Sequence, residues 1–496
     1  MRSLLRRFIP SGAVGERTVK SGLWMTGINV SNRILLMLMV VVLAGLLGPT
    51  EFGLMGLALL TVTAMNQFTE LGLDASLIQR EEEDVDAYLD TVWTIKLIRG
   101  IVLFALAYVA APYLAAFFNE PRATDVFRVI ALSPLLVGLR NPRIVYLQKN
   151  LEFHKQFVYD VSGTLFHVGV ALALGFIFGT VWALVFGTLT GNVVRTLVSY
   201  LIDRRLPRLV IERARAIEMI RYGRWITGSG IFMFFFANGD DAFLGWFLGA
   251  TALGFYQLAY QLARTPSSEV TKVISSVMFP AYSKLQGNLR ALRQTYFTVL
   301  KLTAVVSMPM AVGIIVVAGP FVHAFLGDEW IPAIPALQIL ALWGLMLSIG
   351  ATSGPLLKAI GRPDYITKVN VLKTVALAIL IYPLTDAYGL AGTAAAVVLA
   401  GALTSEPLIN YIVIREIKGS FTQFFVTVGT PLTASLVMGA AVLATESMLP
   451  VSGTALGFAA LVVTGVVVYT ACMAAIEVTF DYGMRSLVRD IAAKIT

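Results

Sequence analysis

Leu47-Gly48-Pro49-Thr50-Glu51-Phe52-Gly53 returns 201 residues later as Leu248-Gly249-Ala250-Thr251-Ala252-Leu253-Gly254. The same ungapped shift lays Gly22-Leu23-Trp24-Met25-Thr26-Gly27 on Gly223-Arg224-Trp225-Ile226-Thr227-Gly228. Between these ends Leu43 meets Leu244, and beyond them Leu57 meets Leu258 and Ala58 meets Ala259. Apolar helices match easily by chance, but a Trp pair and four Gly pairs at fixed spacing are harder to obtain, so the chain reads as an internal repeat. Further on, Ala131-Leu132 and Leu147 align with Ala341-Leu342 and Leu357 at a shift near 210, which predicts a short insertion in the second half.

What is repeated is membrane-spanning. Of the 496 residues 57% are hydrophobic and 14% charged, against about 25% charged in a soluble protein. One cysteine, Cys472, and three histidines exclude a disulfide scaffold and leave little room for a zinc or iron enzyme. A crossing helix needs about 20 mostly apolar residues. In that window the chain gives fourteen candidate spans: 22–47, 52–78, 91–118, 124–147, 156–178, 180–202, 222–247, 252–275, 295–317, 332–357, 364–384, 389–413, 423–443 and 451–476. The shift of 201 crosses six of them. Six is even, so the copies enter the membrane in the same direction and are parallel repeats. The expected architecture is an all-α polytopic membrane protein with two parallel six-helix lobes, 22–202 and 222–413, and two further helices over 423–476. The lobes are joined by an Arg-rich cytosolic linker, 203–221.

The net charge of +8 sorts by topology. With the N-terminus inside, cytosolic segments collect Arg140, Arg143, Lys149, Arg204, Arg205, Arg208, Arg213, Arg215, Arg362, Arg415 and Lys418. Outer turns carry one basic residue, Arg122, beside Glu51, Glu120, Asp328, Glu329, Asp386 and Glu446. This positive-inside bias puts both ends in the cytosol and removes any need for nucleic acid. Residues 1–21 lack the apolar core of a signal peptide and read as an amphipathic segment on anionic lipid; 477–496 is a basic cytosolic tail.

Some of the turns are also familiar. Leu46-Leu47-Gly48-Pro49-Thr50-Glu51-Phe52-Gly53-Leu54, then Glu70-Leu71-Gly72-Leu73-Asp74-Ala75-Ser76-Leu77-Ile78-Gln79-Arg80, resembles the N-terminal signature of polysaccharide transporters. So do Leu147-Gln148-Lys149-Asn150-Leu151-Glu152-Phe153, Leu253-Gly254-Phe255-Tyr256, and Val277-Met278-Phe279-Pro280-Ala281-Tyr282-Ser283-Lys284. The chain resembles the Wzx-type lipid-linked oligosaccharide flippases of the multidrug/oligosaccharidyl-lipid/polysaccharide exporter superfamily. The resemblance implies two lobes around a central cavity. That cavity would pass a polyprenyl-diphosphate sugar across the cytoplasmic membrane, driven by an ion gradient rather than ATP. No G-x-x-x-x-G-K-[ST] loop is present. Polysaccharide polymerase and chain-length proteins are neighbours by analogy, and a monomer is expected.

Charges inside spans are costly and usually face a cavity. Arg33 in the first span and Arg264 in the eighth stand near the midplane, and guanidinium forks phosphate oxygens. They are the expected diphosphate ligands, unless each simply pairs with a nearby acid. Arg195 is a third candidate. Lys96 and Arg99 sit shallower and read as snorkelling to headgroups. Tyr256, Gln257 and Tyr260 line successive turns of the eighth span and would meet sugar hydroxyls. Asp240 and Asp241 in the seventh span form the expected coupling site for H+ or Na+, completed by Asn370 with Thr393 or Thr404; the competing reading is a salt bridge to Arg33 or Arg264. Glu406 before Pro407 reads as a helix-end residue, His167 as a packing residue, and Glu70 with Asp74 as partners of Arg80. Pro266 is the expected hinge beside Arg264.

No metal cluster, nucleophile triad or large outer domain supports an enzyme such as a polymerase or ligase. An ion-coupled drug exporter of the same superfamily is the nearest rival; fourteen spans and two midplane arginines favour the lipid substrate.

Overall fold

The computed structural model describes residues 14–73, 77, 82–448, 453–480 and 482–483. The basic N-terminal residues through 13, Asp74, Arg80 and the C-terminal Arg485, Arg489 and Lys494 lie outside them, as does the side chain of Pro266. The elements are helical throughout the described residues: α1 Val14–Ala44, α2 Pro49–Phe68, α3 Glu82–Phe117, α4 Ala123–Ile130, α5 Leu132–Gly138, α6 Val145–Lys149, α7 Phe153–Phe178, α8 Trp182–Ile202, α9 Arg213–Phe247, α10 Gly249–Lys284, α11 Leu289–Phe321, α12 Ile334–Ala359, α13 Pro363–Ala400, α14 Glu406–Glu416, α15 Phe421–Met448 and α16 Ala455–Phe480. The chain forms two compact units, one through Gly254 and one from Phe255 onward.

In the first unit the connections gather alternately at two ends. At the acidic end, Glu51 in the first turn of α2 pairs with Arg122 from the turn before α4. Its second oxygen accepts from the Val181 N–H at the start of α8, 2.7 Å. At the opposite end, Arg143 meets Asp86 at 3.1 Å and Asp203 at 3.9 Å. There the extended stretch 203–212 is strapped along α3: the N–H groups of Arg208, Val210 and Glu212 donate to Asp90, Thr94 and Thr91 at 3.0, 3.1 and 3.2 Å. These bonds satisfy backbone donors that a non-helical linker would otherwise leave to water.

Small residues let the helices approach where lipid supplies no hydrophobic drive. On α8, Gly187 and Gly191 form a G-x-x-x-G stripe against α7. A Cβ on Gly191 would lie 2.9 Å from the Gly163 carbonyl oxygen, and one on Gly187 2.7 Å from the Ala171 methyl. His167 packs into the same seam, 3.5 Å from the Thr188 hydroxyl.

The repeat is visible in space. Thr50 and Thr251, equivalent under the shift of 201, share a hydrogen bond of 2.9 Å. A Cβ on Gly53 would fall 1.7 Å from the Ala250 carbonyl oxygen, and a Cβ on its counterpart Gly254 would fall 2.0 Å from that of Pro49. Residue i touching j while the equivalent of j touches that of i is the signature of a local two-fold. The orientation agrees. On α9, Gly245 packs on Leu57 and Gly230 on Gln67, so α9 runs antiparallel to α2 and parallel to α1, its counterpart.

One expected span is broken, and the turn expected between 364–384 and 389–413 is present. The span predicted over 124–147 breaks at Ala131. Pro134 offers no N–H to residue 130, and its ring crowds that carbonyl, so α4 ends and α5 begins there. In α13, Gly389 adopts φ 56°, ψ −134°. Thr385 and Thr393 hydroxyls meet at 2.8 Å, whereas eight helical residues would separate them by about 12 Å. The chain therefore turns back at Gly389 into two arms. By length and hydropathy, nine helical runs among the described residues can cross a membrane, and the run Pro363–Glu416 contains both arms.

The second unit is built around Tyr282, Leu292, Tyr296, Leu300, Leu356, Leu357, Val413 and Ile417. Where the longer repeat shift predicts an insertion, a π turn (Val322–Leu326) and a 3-10 turn (Asp328–Ala333) intervene, with Trp330 buried edge-on against Phe255 at 5.8 Å.

Candidate functional site

The ionisable residues inside helices decide what the molecule can bind. In the first unit, Arg33 stands half-buried on α1, about 16 Å from the helix end at Ala44 at 1.5 Å per residue. Aromatic packing of Trp24 on Phe157, 5.2 Å apart, holds α1 along α7. Asp240 and Asp241 ride on α9, about 10 Å from its end at Phe247. Their side chains leave the helix about 100° apart, and their surroundings differ: Asp240 is 7% exposed, Asp241 half-buried.

Arg195 is held within its own lobe. Its stem lies over Gly163, where a Cβ would come within 2.4 Å of it, and its Nη2 donates to Thr164 Oγ1 at 2.9 Å. This ties Arg195 to the α7–α8 seam. Arg99 does not snorkel freely either. Its guanidinium closes the C-terminal end of α2, donating to Thr69 Oγ1 at 2.9 Å and to the Asn66 carbonyl at 2.7 Å. It also meets Glu70 at 3.3 Å. Helix ends leave carbonyls unpaired, and a cation there satisfies them. Glu70 is thus partnered by Arg99.

In the second unit, Arg264 is exposed on α10, its guanidinium 5.8 Å from the Tyr260 ring centre. Tyr260 and Gln257 are half-buried. Tyr256 is 0% exposed, tilted against Tyr260 with ring centres 5.9 Å apart, so in this structure it is enclosed while its neighbour one turn on is not. Asn370 is half-buried on the first arm of α13. Thr393 is spent on Thr385 at the far turn, about 22 Å along the arm from Asn370, and the Thr404 hydroxyl donates to the Ala400 carbonyl. The fold-back at Gly389 carries Thr393 to the opposite end, so it does not complete a cation site with Asn370.

A buried polar group that the periodicity did not single out lies in the second unit. Lys373 is 8% exposed, its Nζ 4.1 Å from the centre of the Trp343 ring. Lys373 also interacts electrostatically with Glu406, whose carboxylate hydrogen-bonds Asn410. The signal was a lysine inside the candidate span 364–384. Glu406 is not the simple helix-end residue that Pro407 suggested: it follows a π turn, Gly401–Ser405, and sits inside a polar chain.

Residues 42–335 match the family described as polysaccharide biosynthesis protein. Over 427 residues the chain is 27% identical to the lipopolysaccharide biosynthesis protein WzxC of Escherichia coli (strain K12), covering 85% of this chain and 86% of that one. It is 26% identical to the succinoglycan biosynthesis transport protein ExoT of Rhizobium meliloti (strain 1021), covering 65% of each. Among solved structures, the lipid II flippase MurJ in an inward closed conformation superposes with a TM-score of 0.73 at 15% identity, covering 94% of this chain and 99% of that one. An inward-facing multidrug transporter of the MATE family gives 0.59 at 18% identity, with 79% and 94% covered. At those identities the structures establish a shared fold. The family match spans more than half of the chain, and this multi-pass membrane protein belongs to the polysaccharide biosynthesis protein family, with Wzx-type transport proteins among its relatives.

Proposed function

We propose that this protein is a flippase, a carrier rather than an enzyme. It moves a polyprenyl-diphosphate-linked oligosaccharide, the repeat unit of a polysaccharide, across the cytoplasmic membrane by ion-coupled alternating access. The observation that carries the reading is kinship with WzxC over 86% of that protein's length. Fourteen crossings with both termini in the cytosol follow from the basic and acidic ends of the sequence. The lipid tail stays in the bilayer, and the charged head needs cations along its path. Arg33 and Arg264 each offer a guanidinium to phosphate oxygens, and Asp240 with Asp241 respond to the driving ion, H+ or Na+.

Binding of a polyprenyl diphosphate to the purified protein tests this. A charge-assisted hydrogen bond contributes about 1.5–3 kcal/mol, so Arg33→Ala or Arg264→Ala should weaken binding roughly 10- to 150-fold. Wild-type affinity in both variants would remove the arginines from the head-group path. Equal affinity for an apolar cationic drug would favour the multidrug reading.

A further inference from the structure

The cluster around Glu406 and Lys373 has no part in the flipping mechanism described above, and its construction is unlike that of a fixed ion pair. Lys373 stands ten residues after the start of α13, and Glu406 ten residues before the end of α14. Both are therefore about 15 Å from the same end of the unit at 1.5 Å per residue, deep among apolar neighbours. An ionisable pair at such depth is expensive unless it has a task.

Its surroundings grade from closed to open. Glu406 is half-buried; its Oε1 lies where a Cβ on Gly350 would be only 3.3 Å away, so the glycine makes room for the carboxylate. Behind it, Asn410 accepts from the Ser353 hydroxyl at 3.3 Å, and Ser353 lies 3.3 Å from the Tyr296 hydroxyl. The titratable groups that face the carboxylate are Lys373 from α13 and Tyr296 from α11; α12 presents the neutral Ser353 and Gly350. One cation thus balances one acid, with hydroxyls and an amide able to bond either protonation state.

The backbone next to Glu406 is also built to change. The five residues before it form a π turn, an extra residue in the helix that recurs at functional sites. Pro407 then withholds a backbone N–H. The first residue of the π turn, Gly401, is pinned against Trp343: a Cβ there would come within 2.6 Å of the ring. Trp343 is the same ring that receives the Lys373 ammonium. The base and the bulge therefore share one indole.

We propose that Glu406 and Lys373 form a proton-binding site inside the second unit, in which one proton from water neutralises the Glu406 carboxylate and frees Lys373 to shift on Trp343. The ligand is a proton and not Na+, because the Lys373 ammonium already faces the carboxylate electrostatically and a metal cation would have to enter against that charge. Use of the site to drive transport rests on the ion-coupled flippase reading; the proton binding does not.

The test is intrinsic tryptophan fluorescence of the purified full-length protein, without substrate, across about pH 5 to 9. Wild type should give a one-proton transition that Trp343→Phe removes. Glu406→Gln should hold the signal at its low-pH level throughout. Lys373→Met, which removes the ammonium that shifts on Trp343, should flatten the transition. Added Na+ at constant ionic strength should leave the signal unmoved. A flat wild-type profile, an unchanged transition in Glu406→Gln or in Lys373→Met, or a response to Na+ at fixed pH would each overturn the proposal. Because none of these readouts involves flipping, failure of the flippase reading would not be mistaken for failure of the proton site.

Discussion

Replacing Gly53 by alanine puts a methyl carbon where the Ala250 carbonyl oxygen already stands. The new Cβ would lie 1.7 Å from that oxygen, whereas a carbon and a carbonyl oxygen settle at about 3.3 Å. The helix starts must therefore part by about 1.6 Å, and neither atom is the far end of a flexible side chain. The Thr50–Thr251 bond of 2.9 Å would stretch beyond hydrogen-bonding range. Overpacking costs about 1–3 kcal/mol, and a hydroxyl bond between membrane helices adds about 0.6. For a unit of this size each kcal/mol lowers the melting temperature by about 2–4 °C, which predicts a fall of about 3–14 °C. Thermal stability of the detergent-purified protein, read by the surviving monodisperse peak after heating, measures it. Gly254→Ala, whose Cβ would lie 2.0 Å from the Pro49 carbonyl oxygen, should fall by a similar amount because the local two-fold makes the positions equivalent. Gly169→Ala is the control: nothing lies within 4 Å of its Cβ, and relief of helical glycine entropy should leave it level or about 0.5–1 kcal/mol more stable. Wild-type melting of Gly53→Ala and Gly254→Ala would refute the tight crossing.

Two further effects can be checked on the same material. Arg99→Met removes the cation that caps α2 and holds Glu70; a loss of about 1–3 kcal/mol should appear as a lower melting temperature, and a wild-type value would mean that water replaces the guanidinium without cost. Asp86 accepts from the Tyr146 hydroxyl at 2.7 Å and pairs with Arg143, which together hold its carboxyl below the ordinary 3.8. A depressed folded-state pKa stabilises above the unfolded value and is lost as pH falls through the folded one. Asp86→Asn should therefore melt below wild type at neutral pH, by a few tenths of a kcal/mol for so exposed a pair, and the gap should close below about pH 4; a gap that persists in acid would contradict this.

The repeat was the most legible feature, because a turn that packs backbone on backbone tolerates only glycine. Gly53 and Gly254 therefore keep their identity across the shift while the apolar residues between drift. The alternation of basic and acidic turns was legible for a similar reason: Glu51, Arg122, Asp86 and Arg143 meet at helix ends, where charge and topology are linked. The turn at Gly389 fell between the expected spans 364–384 and 389–413, but the break at Ala131 was harder. Periodicity registers which residues are apolar, whereas one proline or one positive φ decides where the helix stops. For the candidate site, position in a span gave the depth of Arg33 and Asp240 but not the facing of a side chain. Tyr256 and Tyr260 are one turn apart, yet one is enclosed and the other half-buried. Arg195 and Arg99 read as isolated charges because their partners, Thr164 and the end of α2, are about thirty residues away in sequence. Glu406 was read against its neighbour Pro407, and Lys373, 33 residues upstream, could be joined to it only after the chain folded back at Gly389.

Flipping itself tests the central claim most directly. Purified protein is reconstituted into liposomes with a fluorescent polyprenyl-diphosphate oligosaccharide, and the fraction reaching the opposite leaflet is read by a membrane-impermeant quencher. The account predicts transfer well above that of protein-free liposomes, dependent on an imposed ion gradient and lost in Arg33→Ala. Transfer no faster than in protein-free liposomes, with the protein folded and an ion gradient imposed, would contradict it.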